Sequence, residues 1–245
     1  MFNSAGHVIF EQPVDGDGPS VLEMFHIGDG IFTCIVRGDI VTVYKQYLNV
    51  GSFKIEEGLT DLPAAFTGVF EPLQLIYSGD KLLLTAKVGT NEDNNKNMIS
   101  VFALNPHELK SEFLNRSTIG NFSSTSRTKS HVIFHVDEAK TQSFAFNPLL
   151  QEEPSTEIYK NMLQASVNDD FVFTEEAQYV EYLDLAKSAS ARHQVTGIDM
   201  SSDPSCQVTR PRESEITEGD RDISEAKLAL RCKDSLQILT ATGEL

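Results

Sequence analysis

Short apolar runs separated by tight Gly, Asp and Asn turns recur along the chain. Residues 24–27 and 31–36 flank Gly28, Asp29 and Gly30, and residues 40–44 follow Gly38 and Asp39. The phrase returns at 73–77 and 81–86 around Ser78, Gly79 and Asp80. It returns again at 165–167 and 171–174 around Asn168, Asp169 and Asp170, and at 228–232 and 236–239 around Lys233, Asp234 and Ser235. Runs of about 5–8 residues with period-two alternation and β-branched or aromatic enrichment predict strands. Turns this short force sequence neighbours to pair antiparallel. The pattern therefore predicts an all-β chain built of repeated meanders.

The first predicted unit has strands near 21–27, 31–37 and 40–48, with 51–55 as a fourth. A strand candidate at 7–10 and an acidic turn at 15–18 precede it. The second unit has strands at 73–77, 81–88 and 98–104, a weak fourth at 111–114, and a polar hairpin tip at 91–97. A Ser/Thr-rich stretch, 117–130, reads as a loop. The third unit has strands at 131–136 and 141–146, and the fourth near 162–167, 171–174 and 178–185. Residues 186–226 lose the pattern and read as a flexible polar linker or insertion. A fifth unit, 227–242, holds two strands. The expected organisation is thus β-propeller-like repeats over 5–185, the linker at 186–226, and a partial final repeat at 227–245.

Repeated units of roughly 40–65 residues point to a solenoid or a propeller. Four strands per unit with hairpin loops favour the propeller. On these repeats the chain resembles the degenerate, WD-repeat-like β-propeller family, in architecture alone: it has no Trp and therefore no Trp-Asp dipeptide. The resemblance implies a rigid interaction scaffold without catalysis, protein partners within a multi-subunit complex, and an intracellular, more cytoplasmic than nuclear, setting. A β-sandwich is the competing architecture, because it also has short strands with frequent turns. The two-strand final copy implies a strand borrowed from elsewhere to close a ring, with 7–10 as the candidate.

Charge narrows the partners. Lys and Arg total 20 against 36 Asp and Glu, a net charge of −16. That balance disfavours phosphate backbones, and the densest basic patch is only Arg210 and Arg212 beside Glu213 and Glu215. No apolar stretch approaches the roughly 20 residues that span a bilayer, and residues 1–7 lack the features of a signal peptide. No nucleic-acid partner and no membrane insertion are expected. Cys34, Cys206 and Cys232 form no close-spaced motif, which fits a reduced compartment. The sequons at Asn115 and Asn121 read as chance in that setting.

Candidate chemistry is sparse. His131 and His135 would share one face of a strand, but about 13 Å apart at 3.3 Å per residue, too far for one metal ion. Asp15, Gly16, Asp17 and Gly18 begin like a calcium loop, yet Pro19, Ser20 and His26 stand where ligand, Gly and Glu are required. Arg37, Gly38 and Asp39 read as a hairpin turn. There is no Gly-x-Ser-x-Gly elbow. Adjacent carboxylates such as Glu56 and Glu57 would point to opposite faces of a strand. No catalytic, metal or cofactor-binding residue is assigned, and no cofactor is expected. Residues 108–114 read either as a short helix, capped by Asn105 with Pro106 at its first position, or as an outer strand. Exposed there, Leu109 and Phe113 would form a partner-binding ridge. The alternative function is a propeller-based hydrolase or lyase with a central-channel site and a bound Ca²⁺, drawing on His26, Asp29, Asp80 and Asp170 at turn ends.

Overall fold

The computed structural model describes residues 19–28, 30–55, 62–78, 80–148, 156–158, 161–165, 170–176, 179–185, 189–194, 207–209, 226–232 and 235–240. The chain divides into two compact units, Met1–Asn121 with Pro148–Gln151 and Phe122–Asn147 with Glu152–Leu245. Among the described residues every regular element is a strand.

Unit 1 contains two four-stranded sheets. The first is β1 (Ser20–Ile27), β2 (Gly30–Arg37), β3 (Ile40–Lys45) and β4 (Leu48–Lys54). The second is β5 (Thr67–Ser78), β6 (Lys81–Asn91), β7 (Lys96–Asn105) and β8 (Lys110–Gly120). Neighbours in sequence are neighbours in the sheet, and all pairs are antiparallel. This is the uninterrupted meander of a propeller blade; a sandwich would bring non-consecutive strands together. The chain has this all-β, propeller-type architecture.

Period-two alternation decides which side of each strand is buried. On β1, Phe25 is buried while Leu22 and Met24 on the opposite face are 57% and 48% exposed. The central strands behave otherwise: residues 82–86 of β6 are all 2% exposed or less, so both faces of that strand are covered. The core of unit 1 joins Phe25, Phe32, Cys34, Val36, Val41 and Val43 of the first sheet to Leu75, Leu82, Leu84, Ala86 and Phe102 of the second. Full burial of a ring such as Phe102 contributes about 2–3 kcal/mol. Pro72 lies in β5, an edge strand, beside a register shift between Pro72 and Gln74. An edge or a bulge is where a strand tolerates a missing N–H.

Unit 2 repeats the plan. Its first sheet is β9 (Ser124–Arg127), β10 (Val132–His135), β11 (Ser143–Phe146) and β12 (Thr156–Ile158). The second is β13 (Asn161–Ala165), β14 (Phe171–Glu176), β15 (Tyr179–Asp184) and β16 (Ala189–Gln194). A third sheet has three strands, β17 (Gln207–Thr209), β18 (Ala226–Cys232) and β19 (Ser235–Thr240). Ile133, Ala145, Ile158, Met162, Val172 and Leu185, from the first two of these sheets and the end of β15, form an apolar cluster of unit 2.

The structure departs from the sequence expectations at four places. The run 40–48 is two strands, because Gln46 and Tyr47 both take positive φ (47° and 70°) and reverse the chain. The expected loop 117–130 holds the end of β8 and all of β9. Residues 108–114 are not helical: Asn105 Oδ1 accepts from the N–H groups of His107 and Glu108 (3.0 and 3.1 Å), Leu109 turns at φ 52°, and β8 begins at Lys110. The capping residue therefore caps a turn. Within 186–226, β16 and β17 are strands, and β17 gives the last sheet a third member; the remainder of that segment, like 7–10 and 15–18, lies outside the described residues.

The Gln46–Tyr47 turn generates a prediction. Two successive positive φ values suit Asn-Gly far better than Gln-Tyr. The double substitution Gln46→Asn, Tyr47→Gly is expected to stabilise unit 1 by about 1 kcal/mol, seen as a higher urea midpoint. A lower midpoint would mean that the Tyr47 side chain contributes more than its backbone conformation costs.

Candidate functional site

The hairpin ends of unit 1 enclose an open cleft of about 440 Å³. Its lining comes from three places: Ile27 at the end of β1, Tyr77 with Asp80, Lys81 and Leu82 at the β5–β6 turn, and residues 103–107 with 110–112 on either side of the β7–β8 turn. Leu82 and Leu104 are buried and floor it. Asp80, with φ 62°, makes the β5–β6 turn tight and holds its carboxyl at the rim. Burial first, and then the Asp80 charge, pushes the Tyr77 phenol above its ordinary range. Lys110 is ion-paired with Glu108, and the pairing lowers the Glu108 carboxyl and raises the Lys110 ammonium.

The two aromatic walls of the cleft are the ends of one stack. Tyr77 lies on Phe25 at 4.7 Å between ring centroids, Phe25 on Phe32 at 6.0 Å, and His107 meets the Phe32 ring edge-on at 4.8 Å. Lys45 Nζ sits 5.5 Å from the Phe32 centroid. Such contacts contribute roughly 0.5–1.5 kcal/mol each beyond burial. They tie the rim groups to the hydrophobic core.

Unit 2 holds two polar clusters. His135, fully buried on β10, hydrogen-bonds through Nδ1 to Ser143 Oγ on β11 (2.8 Å) and through Nε2 to Ser126 Oγ on β9 (2.9 Å). Burial, helped by the charge of Lys140 and opposed by Asp137, lowers its pKa to about 4. The second cluster centres on Asp170 Oδ1. It accepts from Thr128 Oγ1 (2.9 Å) and the Ser130 N–H (2.7 Å), and it lies 3.3 Å from His131 Nδ1. His131 N–H donates in turn to Thr128 Oγ1 (3.1 Å). Burial alone would raise the Asp170 carboxyl; the bonds from Ser130, Thr128 and His131 outweigh it and hold the carboxyl below its ordinary range. These bonds fasten the β9–β10 connection to the residue that opens β14.

The sequence candidates fall as follows. His131 and His135 have separate partners, and each sits in a structural network. Among the described residues no group of three or more His, Cys, Asp and Glu could hold a metal ion. Leu109 and Phe113 are half-buried and pack against the core of unit 1; the Leu109 Cδ1 atom stands 2.7 Å from where a side chain on Gly51 would begin. Asp80 lines the cleft, His26 is exposed on β1, Asp170 serves its own network, and Asp29 lies outside the described residues. Burial keeps the Cys34 thiol protonated, its pKa pushed up to about 12. Sequence reading missed the cleft because its lining comes from segments far apart in the chain. Two local signals fall in it: Asp80, named as a turn-end candidate, and Asn105 with Pro106, which read as a helix start.

Two predictions follow from unit 2. His135 is neutral when folded and binds a proton near pH 6.5 when unfolded, so the unfolded chain gains protons first as pH falls. Stability is whole above pH 6.5 and declines down to about pH 4, by up to about 3 kcal/mol. Urea unfolding followed by circular dichroism across that range should show the slope, and His135→Gln should flatten it; an unchanged slope would remove the assignment. Asp170→Ala leaves the Ser130 N–H and the Thr128 hydroxyl without their acceptor and should cost about 2 kcal/mol. A thermal midpoint within 1 °C of the parent would show that the network carries no net stability.

No family model and no curated protein matches the chain. Solved structures similar to it include Hsv2 of Kluyveromyces marxianus (11% identity, TM-score 0.45, covering 90% of this chain and 62% of that one). Others are the WD40 domain of SCAP from fission yeast (7%, 0.40, 87% and 58%) and the α-L-arabinanase of Penicillium chrysogenum complexed with arabinobiose (14%, 0.39, 93% and 78%). The chain spans about three-fifths of the length of the first two.

Proposed function

We propose that the chain is a non-catalytic protein-interaction scaffold whose contact site is the hairpin-end cleft of unit 1. The observation that carries this reading is the cleft's construction. Its rim groups stand on tight turns between long strands and are braced by the Tyr77–Phe25–Phe32–His107 stack. Glu108 is committed to the Lys110 ammonium beside it. Rigid turns bearing varied side chains are how β scaffolds present recognition surfaces. The partner is a protein of basic or mixed charge, held within a multi-subunit assembly, and the setting is intracellular.

The test is affinity capture of the full chain from its native cell after mild cross-linking, beside the double variant Asp80→Asn, Glu112→Gln. The parent should retain a stoichiometric protein partner, and the variant, with an unchanged circular dichroism spectrum, should lose it at least tenfold. Equal capture by both proteins would remove the cleft as the contact site, and turnover of a glycan or ester by the purified chain would replace the scaffold with an enzyme.

A further inference from the structure

We infer that the cleft of unit 1 receives the aromatic side chain of a tryptophan or tyrosine from the partner. This rests on the cleft being the contact site. A row of directly opposed residues runs along the cleft, one from each strand of the second sheet: Tyr77 on β5, Leu82 on β6, Leu104 on β7 and Ser111 on β8. Directly opposed residues share a face, and strands about 4.8 Å apart make the row about 14 Å long. Tyr77 stacks on Phe25 of β1, so this face looks toward the first sheet. Ile27 and His107 add to the walls.

The row carries no charge. Lys81, Lys110 and Glu112 each adjoin a member of it in sequence, so period-two alternation turns their side chains from that face. Asp80 sits in the β5–β6 turn. These two carboxylates and two ammonium groups balance, so the rim favours neither a cation nor an anion. A neutral side chain is the guest such a bed accepts without leaving a charge buried and unpaired. An aromatic ring suits it better than an aliphatic chain, because both ends of the Tyr77–Phe25–Phe32–His107 stack line the cleft. Aromatic pairs in offset or edge-on contact gain more than their buried area alone supplies. The Ser111 hydroxyl, at the end of the row, offers an acceptor to an indole N–H or a phenol O–H. The cleft, at about 440 Å³, is roomy enough for one such side chain with its backbone.

The experiment is titration of the full chain into N-acetyl-tryptophanamide, followed by the indole emission. The chain contains no Trp, so the signal belongs to the probe. A saturable blue shift is expected, with a Kd on the order of a millimolar. Salt between about 0.05 and 0.5 M should change that Kd less than twofold. N-acetyl-tyrosinamide should displace the probe, and N-acetyl-leucinamide should do so at least threefold less well. Ser111→Leu fills the row beside Leu104 and should weaken the probe at least tenfold. His107→Ala, at an exposed position, should weaken it at least threefold. No saturable shift, equal displacement by the leucine amide, a shift abolished by salt, or binding unmoved by both substitutions would overturn the inference. If the probe fails to bind while Asp80→Asn, Glu112→Gln still abolishes partner capture, the aromatic guest is wrong and the contact-site reading stands. If the probe binds as expected while that double variant captures its partner normally, the aromatic pocket stands and the contact-site reading falls.

Discussion

Burial of the middle strands on both faces is the constraint from which the rest follows. Residues 82–86 of β6 have no wet side, so nothing polar can project from the middle of that strand without a partner. Thr85, 1% exposed, and Ser100, fully buried, show how small such polar groups must be. Polar chemistry is pushed outward to edge strands and to hairpin ends. A cleft of unit 1 lies at those ends, where tight turns release side chains from the alternation of the strands.

The same constraint separates what the sequence reveals from what it hides. Turns made with Gly28 and Gly38, at φ 58° and 51°, are legible because glycine marks the left-handed conformation. The turn at Gln46 and Tyr47 has the same backbone with no such mark, so one apolar run conceals two strands. Ser124–Arg127 and Ala189–Gln194 are polar, short or edge strands. Their pairing comes from a neighbour's free N–H and C=O groups rather than from their own hydrophobicity, and composition reads them as loop. Asn105 is a further case: the side chain caps the amides that follow, as the residues promise, but the chain then reverses at Leu109 instead of winding a second turn.

The histidines show how far residue type falls short of role. His131 and His135 stand four apart and look like a ligand pair. In the fold one imidazole serves Asp170 and the other bridges two serines across three strands. Both are interior cross-links between backbone segments. Most of the site residues, by contrast, belong to the β5–β6 and β7–β8 turns, and the β6–β7 ladder, with Leu82 opposite Leu104 at its end, brings those turns together.

The ring stack that runs from Tyr77 through Phe25 and Phe32 to His107 has a thermodynamic corollary. Side chains locked in a close-packed interior have already surrendered most of their rotational freedom when the chain folds. A guest meeting such walls has little left to immobilise on the host side. Much of the entropic penalty of complex formation then falls on the guest, so a segment already ordered before it arrives would bind more tightly than a flexible one of the same sequence.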